Sequence, residues 1–361
     1  MNPHKELKRT VGVPGAVLLG LGSIIGTGIF VVSGIGYTFA GPWVFLAIVL
    51  AGLLAACNGF NSAQLAAAHP VSGGSYEYGY RLLHPAAGFS AGVLFLIAKS
   101  ASAATACVIF IHNTGWSFRL KELPLLLQLL LPALIVLTLT ALVVSGLRRS
   151  NILNTILVSL SCFTILVALG VAILDAATGG PRPALHDIDV SGFLEVCALI
   201  FVGYTGYGRI ATMGEEVRDP ETRIPRAMGI TLGVSLLLYL AMAFYYWMFS
   251  SSGYVLLASP FMWVALPLAL LGVALNLILG LSRMVLAMAR RGDLPGYFAV
   301  LDAGGEPRRA IVVVGVCVAL LTLIGDVLVV WSVSAFAVLL YYGVANAAAL
   351  RLPVEERRYG R

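Results

Sequence analysis

The sequence predicts an all-α membrane protein with ten transmembrane helices. Three observations predict it: a composition too apolar for a soluble chain, ten long apolar stretches, and two glycine-rich interruptions half a chain apart. Of the 361 residues, 59% are hydrophobic and only 11% charged, and mean hydropathy is +0.94. A soluble domain needs a polar shell that so few charges cannot supply, whereas a bilayer removes the need for one.

A helix takes roughly 20 apolar residues to cross the hydrocarbon layer. Ten stretches qualify, at about 13–36, 43–67, 87–112, 123–147, 152–174, 193–214, 227–250, 262–289, 309–325 and 328–350. Turn or charge signals separate them. The ninth is the shortest, because its apolar run stops at Gly325-Asp326.

The basic residues set the orientation. Seventeen of them fall in segments on one side of the spans: Lys5, Lys8, Arg9, Arg81, Arg148, Arg149, Arg218, Arg223, Arg226, Arg290, Arg291, Arg308, Arg309, Arg351, Arg357, Arg358 and Arg361. Only Arg119, Lys121 and Arg182 fall on the other. Positive loops stay in the cytoplasm, so both termini are expected there, in the cell membrane. That expectation needs an even number of spans and so retains the ninth. The net charge of +6 thus reads as topology, with no nucleic acid implied. The first apolar segment is long and lacks a small-residue cleavage site, so an uncleaved first span is expected. Cys57, Cys107, Cys162, Cys197 and Cys317 lie within spans without CxxC spacing and read as packing residues; neither a metal nor a cofactor is expected.

The two interruptions are Gly22-Ser23-Ile24-Ile25-Gly26-Thr27-Gly28 and Gly203-Tyr204-Thr205-Gly206-Tyr207-Gly208, which begin 181 residues apart. In lipid, a helix gives up backbone hydrogen bonds only where the freed groups face a protein-lined cavity. Paired interruptions at matching positions therefore imply a solute site and alternating access to it.

Several motifs, in order along nearly the whole chain, carry a family resemblance. Gly22 to Phe30 (GSIIGTGIF) resembles the first-helix signature of the amino acid/polyamine/organocation transporters. Pro70 to Tyr76 resembles that family's loop after the second helix, and Ala211 to Val217 with Pro220 and Pro225 its sixth-helix exit. Ser282-Arg283 with Ala289 to Pro295 resembles its eighth helix, and Tyr341-Tyr342 through Pro353 the end of its tenth. The resemblance implies a LeuT-like fold in a single transmembrane domain spanning 1–361. Two inverted five-helix repeats, at about 11–175 and 191–351, would make it up, with helices 1 and 6 broken. Many relatives carry two further helices; this sequence is expected to hold the ten-helix core.

Unwinding near Gly26 to Gly28 would expose N–H groups at the start of a half-helix, where the dipole favours a carboxylate. Carbonyls at Ser23, Ile24, Val202, Gly203 and Thr205 would accept from an ammonium group. The expected substrate-binding set is therefore Ser23, Ile24, Ile25, Gly26, Thr27, Gly28, Val202, Gly203, Tyr204, Thr205 and Gly206, with glycine admitting the ligand to the main chain. The bland reading of Gly22-xxx-Gly26 is close helix packing. Tyr204 and Tyr207 read as gate and pocket wall, or as bundle filler. Relatives with cationic substrates often carry an acid where Gly208 stands, so a neutral amino acid is expected over a cationic one.

Lys99, near the middle of the third span, has no acid at comparable depth in the sequence. A charge there is costly, so it is expected to face the bundle, either carrying a coupling proton or bonding helix-break carbonyls or Ser102. Ser161, at the position where proton-coupled relatives place a lysine, and Ser282 are the other ion-coupling candidates; back-bonding to their own helix is the alternative. Glu77 and Arg81, four apart, read as a structural pair, with a latch on the inner gate as the lesser reading. Most of the charged cluster Glu215 to Arg226 is expected in solvent, with some members pairing with Arg290 or Arg291 to stabilise one access state. No HExxH pair, opposed aspartates or membrane-depth Ser/His pair supports an intramembrane enzyme. A non-transporting amino-acid sensor or partner subunit remains the rival reading, and the sequence leaves coupling ion and oligomeric state open.

Overall fold

The computed structural model describes residues 9–117, 124–177, 190–249, 260–324 and 327–357. Among these, eight stretches are long and apolar enough to cross a membrane. The first runs over 56 residues, Val13–Ala68, and contains an internal turn. It holds α1 (Val13–Ile24), a π-helical segment (Ile25–Val32), α2 (Ser33–Ala40) and α3 (Val44–Ala68). Gly41 makes the turn with φ of 51°, a left-handed conformation that suits glycine, and Pro42 follows inside a 3-10 turn.

The chain continues through α4 (Ser75–Leu82), α5 (Pro85–Ser117), α6 (Leu125–Val144) and α7 (Leu147–Ala177). After these come α8 (Val190–Tyr204), α9 (Gly208–Ala211), α10 (Pro220–Phe249), α11 (Pro260–Arg291), α12 (Arg308–Thr322) and α13 (Val327–Arg351). With 15 residues, α12 falls short of the eight and is not among them. The Gly325-Asp326 pair that limits the ninth span lies outside the described residues, as do the outer basic residues Arg119, Lys121 and Arg182 and the inner Lys5, Lys8, Arg358 and Arg361.

Burial sorts the helices into layers. The most apolar window of α11 is 83% buried and that of α6 only 28%, so α11 runs through the middle of the bundle and α6 along its edge. α5 packs along α11 and α13, and α10 along α3, α1 and α7. Outward faces carry Leu53, Phe60, Phe163, Leu166, Leu237 and Phe336, all exposed. So much apolar surface fits hydrocarbon as its solvent.

Inside, α11 presents the fully buried Asn276, Ser282 and Arg283. Asn276 Nδ2 donates to Asn154 Oδ1 on α7, and Asn154 Nδ2 donates to the Leu18 carbonyl of α1 at 3.1 Å. A Cβ on Gly22 would meet both amides, at 2.3 and 2.5 Å, so glycine lets α1 sit against this amide pair. At the Arg-rich end, Thr10 and Val11 N–H donate to Glu216 O at 3.0 Å, and Arg218 N–H donates to Val11 O at 2.9 Å. That short strap ties the chain's start to the segment after α9.

Candidate functional site

The two interruptions meet. From Ile25 to Val32 the first helix widens into a π-helix, whose hydrogen bonds run to the fifth residue. The counterpart narrows: α8 ends at Tyr204, and Thr205–Tyr207 form a 3-10 turn before α9. The breaks are thus changes of hydrogen-bond register, one loosened and one tightened, where open chain was expected near Gly26 to Gly28.

Glycine serves here to bring helix against helix. A Cβ on Gly206 would lie 2.7 Å from Ser23 O, one on Gly28 3.0 Å from Gly203 O, and one on Gly26 2.8 Å from Ala269 O. The packing reading and the interruption reading both hold for the same residues. Carbonyls displaced by the register changes find tyrosine donors. Tyr342 OH donates to Thr205 O at 2.9 Å, and Tyr246 OH to Phe30 O at 2.8 Å.

Between the breaks lies a cavity of about 30 Å³ lined by Ser23, Thr27, Gly28, Val32, Lys99, Ser102, Val202, Gly203, Thr205, Gly206, Val273 and Leu277. About 10–15 Å³ of such space holds one water, so the site has room for a water or two and none for an amino acid. Of the expected binding set, the lining includes Ser23, Thr27, Gly28, Val202, Gly203, Thr205 and Gly206. Ile24, Ile25, Gly26 and Tyr204 do not line it. Ile24 and Ile25 are buried in the core, and the Tyr204 ring packs on Tyr239 with centroids 4.5 Å apart.

Lys99 projects into this lining from α5. Its Nζ lies 3.4 Å from Thr205 Oγ1 and 5.8 Å from the Tyr341 ring centroid. Ser102 is not its partner: Ser102 Oγ bonds Ser334 Oγ at 2.7 Å, and Ser334 Oγ donates to Ala98 O at 2.8 Å. Among the described residues no carboxylate pairs with Lys99. The other two coupling candidates back-bond to their own helices. Ser161 Oγ donates to Leu157 O and Ser282 Oγ to Leu279 O, both at 2.8 Å, and neither lines the cavity.

Toward the Arg-rich end the charges are matched. Arg283, fully buried, donates from Nε to Glu216 Oε1 at 2.7 Å and from Nη2 to Glu306 Oε2 at 3.1 Å. Arg290 grips Glu215 through Nη1 at 2.9 and 3.0 Å, and the Ser72 N–H donates to the same carboxylate at 3.2 Å. Burial pushes the Glu215 carboxyl up, but Arg290 and the Ser72 N–H outweigh it and hold the group below its ordinary value. Glu77, itself buried, accepts from Arg81 at 3.1 Å and from Arg291. Tyr76 and Tyr80 donate to Asp293 at 2.6 and 2.7 Å, and burial together with that aspartate raises both phenols, keeping them donors. This end therefore locks α4, the segment after α9, and α11 together.

Sequence reasoning missed Arg209. It sits on α9, 4% exposed, and the available signal was a lone arginine inside an apolar span just beyond a glycine-rich break.

The amino acid permease family matches residues 15–358 of this chain. An uncharacterized transporter of Mycobacterium tuberculosis is 35% identical, covering 98% of this chain and 82% of its own length. From Bacillus subtilis, the branched-chain amino acid permease BcaP is 28% identical over 81% of this chain and 70% of its own. The methylthioribose transporter of the same organism is 29% identical over 82% and 70%. Among solved structures, MhsT in complex with L-phenylalanine superposes with a TM-score of 0.65, at 16% identity, over 96% of this chain and 89% of its own. That likeness concerns the fold. The chain belongs to the amino acid permease family: it is a multi-pass transporter of the amino acid/polyamine/organocation superfamily with a LeuT-like fold, and not an enzyme.

Proposed function

We propose that this protein carries an amino acid or related amine across the cell membrane by alternating access. The facing of two differently broken helices across one small polar cavity carries the reading. A zwitterion needs an acceptor cluster for its ammonium and a donor cluster for its carboxylate. The main chain at Ser23 to Gly28 and at Val202 to Gly206 offers both within one site. Ile24, Ile25, Gly26 and Tyr204 join this set through their backbone as the helices part. The cavity must widen to take a solute, as a closed state of an alternating-access cycle requires.

Ten spans in two inverted repeats, about 11–175 and 191–351, fit this reading. The Gly41 turn divides the 56-residue stretch into two spans, and α12 supplies the ninth. An even number of spans with the basic segments inside puts both termini in the cytoplasm. Flux is driven by an ion gradient or by exchange, with Lys99 the best placed of Lys99, Ser161 and Ser282 to respond to the solute. The lining carries no acid, which argues against a cationic side chain. Names among the relatives agree on small zwitterions in BcaP and MhsT, while the methylthioribose transporter sets a useful control.

Purified protein in proteoliposomes, assayed with labelled amino acids and methylthioribose under separate proton and sodium gradients, tests this reading. Saturable uptake of an amino acid is expected. Tight binding without flux would identify a sensor instead, and uptake of methylthioribose alone would remove the amino acid.

A further inference from the structure

We infer that the solute is an amino acid bearing a second carboxylate, which Lys99 receives in the cavity and Arg209 receives on the way to the Arg-rich end. This rests on the cavity being the solute site and specifies what enters it.

The argument is one of unmatched charge. A cation held out of water needs a carboxylate or a full set of acceptors, and proteins rarely leave one without them. Arg283 follows that rule, with Glu216 and Glu306 on its guanidinium. Lys99 and Arg209 do not. The Lys99 ammonium has three donors and one long contact, to a hydroxyl at 3.4 Å that already donates to Val202 O at 2.6 Å. Arg209 uses Nη1 on Thr212 Oγ1 at 3.0 Å, while its Nε and Nη2 are buried without a partner.

The carboxylate that acts on Arg209 is Glu216, beyond hydrogen-bond reach and already bonded to Arg283. Two buried arginines thus draw on Glu216, whose Oε2 is buried without a hydrogen-bond partner, while among the described residues no carboxylate reaches Lys99. The two cations also lie close along the chain's second break, Lys99 lining the cavity and Arg209 buried beyond it. Lys99 touches Thr205, and Arg209 follows Thr205 by four residues, one turn further toward the Arg283 pairings. Gly280 on α11 makes room for it: a Cβ there would lie 3.1 Å from Arg209 Cδ.

Each solute class meets these two cations differently. A cationic side chain would face like charge at both steps, and a neutral one would leave both cations unmatched. A side-chain carboxylate supplies the missing anion while the α-amino and α-carboxyl groups remain for the broken helices. Charge-assisted bonds of this kind contribute about 1.5–3 kcal/mol, roughly a tenfold to hundredfold effect on affinity.

The test is transport by the full chain in proteoliposomes with L-glutamate, L-aspartate, L-glutamine, L-asparagine and L-leucine, singly and in competition. The wild-type protein is expected to prefer the two acidic amino acids by at least about tenfold over their amides. Lys99→Gln should raise KM for L-glutamate about tenfold or more and leave L-glutamine within about threefold, with Lys99→Arg restoring much of the preference. Arg209→Gln should lower kcat for L-glutamate more than it raises KM. Wild-type preference for L-glutamine or L-leucine overturns the inference and leaves amino acid transport standing, even if no variant folds. Equal losses for glutamate and glutamine in Lys99→Gln overturn it as well. If none of the five moves while another amino acid does, this inference fails and amino acid transport stands; if no amino acid moves at all, both fail.

Discussion

Arg283 and Lys99 are both buried cations on long helices of one bundle, yet they live under opposite conditions. Arg283 meets two carboxylates at 2.7 and 3.1 Å; Lys99 meets a hydroxyl at 3.4 Å and the face of a tyrosine. The difference separates two jobs. A charge neutralised by the protein's own carboxylates fixes one arrangement of helices. On the inference above, a charge left over takes its counter-ion from whatever enters the cavity.

Replacing each cation by an apolar side chain of similar length is the largest test of that contrast. Arg283→Met strands Glu216 in the interior without its main partner, and such a break costs about 3–5 kcal/mol. Lys99→Met removes a charge that nothing matches, so stability should hold within about 1 kcal/mol or rise. Melting temperatures in one detergent would decide it. Equal losses in the two variants would show that Lys99 is as firmly paired as Arg283.

That contrast was only half visible in the sequence. The glycine-rich pairs could be read because local composition in a lipid-embedded helix reports on its backbone, and seven of the eleven residues they nominated line the cavity. Lys99 could be read because a lone charge in an apolar run is conspicuous. The Arg283 pairings could not, since Glu216 lies 67 residues away and Glu306 lies 23, and no local pattern joins them. Glu77 and Arg81 were legible as neighbours four apart, but Arg291 reaches the same carboxylate from 214 residues on and turns a local pair into a link between helices. Ile24, Ile25, Gly26 and Tyr204 missed the lining for a simpler reason. A register change rotates the residues of a break about the axis, and only the closed packing decides which of them face inward.

The next effect concerns the break itself. Gly206→Ala would place its Cβ 2.7 Å from the Ser23 carbonyl, a backbone group that cannot swing aside as a side chain would. A cost of about 1–3 kcal/mol is expected, with uptake lost by more than stability alone explains. Gly229→Ala, within α10 with nothing inside 4 Å, is the control. It should be neutral or stabilising, since alanine is favoured over glycine in a helix interior by about 1 kcal/mol. Similar losses in both would mean that helix propensity, and not the meeting of the two breaks, sets the effect.

The smallest effect belongs to Glu215, at the matched end. Its carboxyl is held below the ordinary value, so the stability it contributes is complete above the unfolded pKa of about 4.3 and is lost as pH falls through the lower folded value. A solvent-exposed pair is worth about 1 kcal/mol or less; the Glu215 and Arg290 side chains are 17% and 16% exposed, which places this one at the upper end. Wild-type protein should therefore lose melting temperature on acidification below about pH 4, and Glu215→Gln should start lower at neutral pH and lose less. Parallel acid profiles for the two proteins would mean that Arg290 does not hold this carboxylate in the folded chain. The lock at the Arg-rich end would then rest on the pairings of Arg283 and Glu77 and on the bonds of Tyr76 and Tyr80 to Asp293.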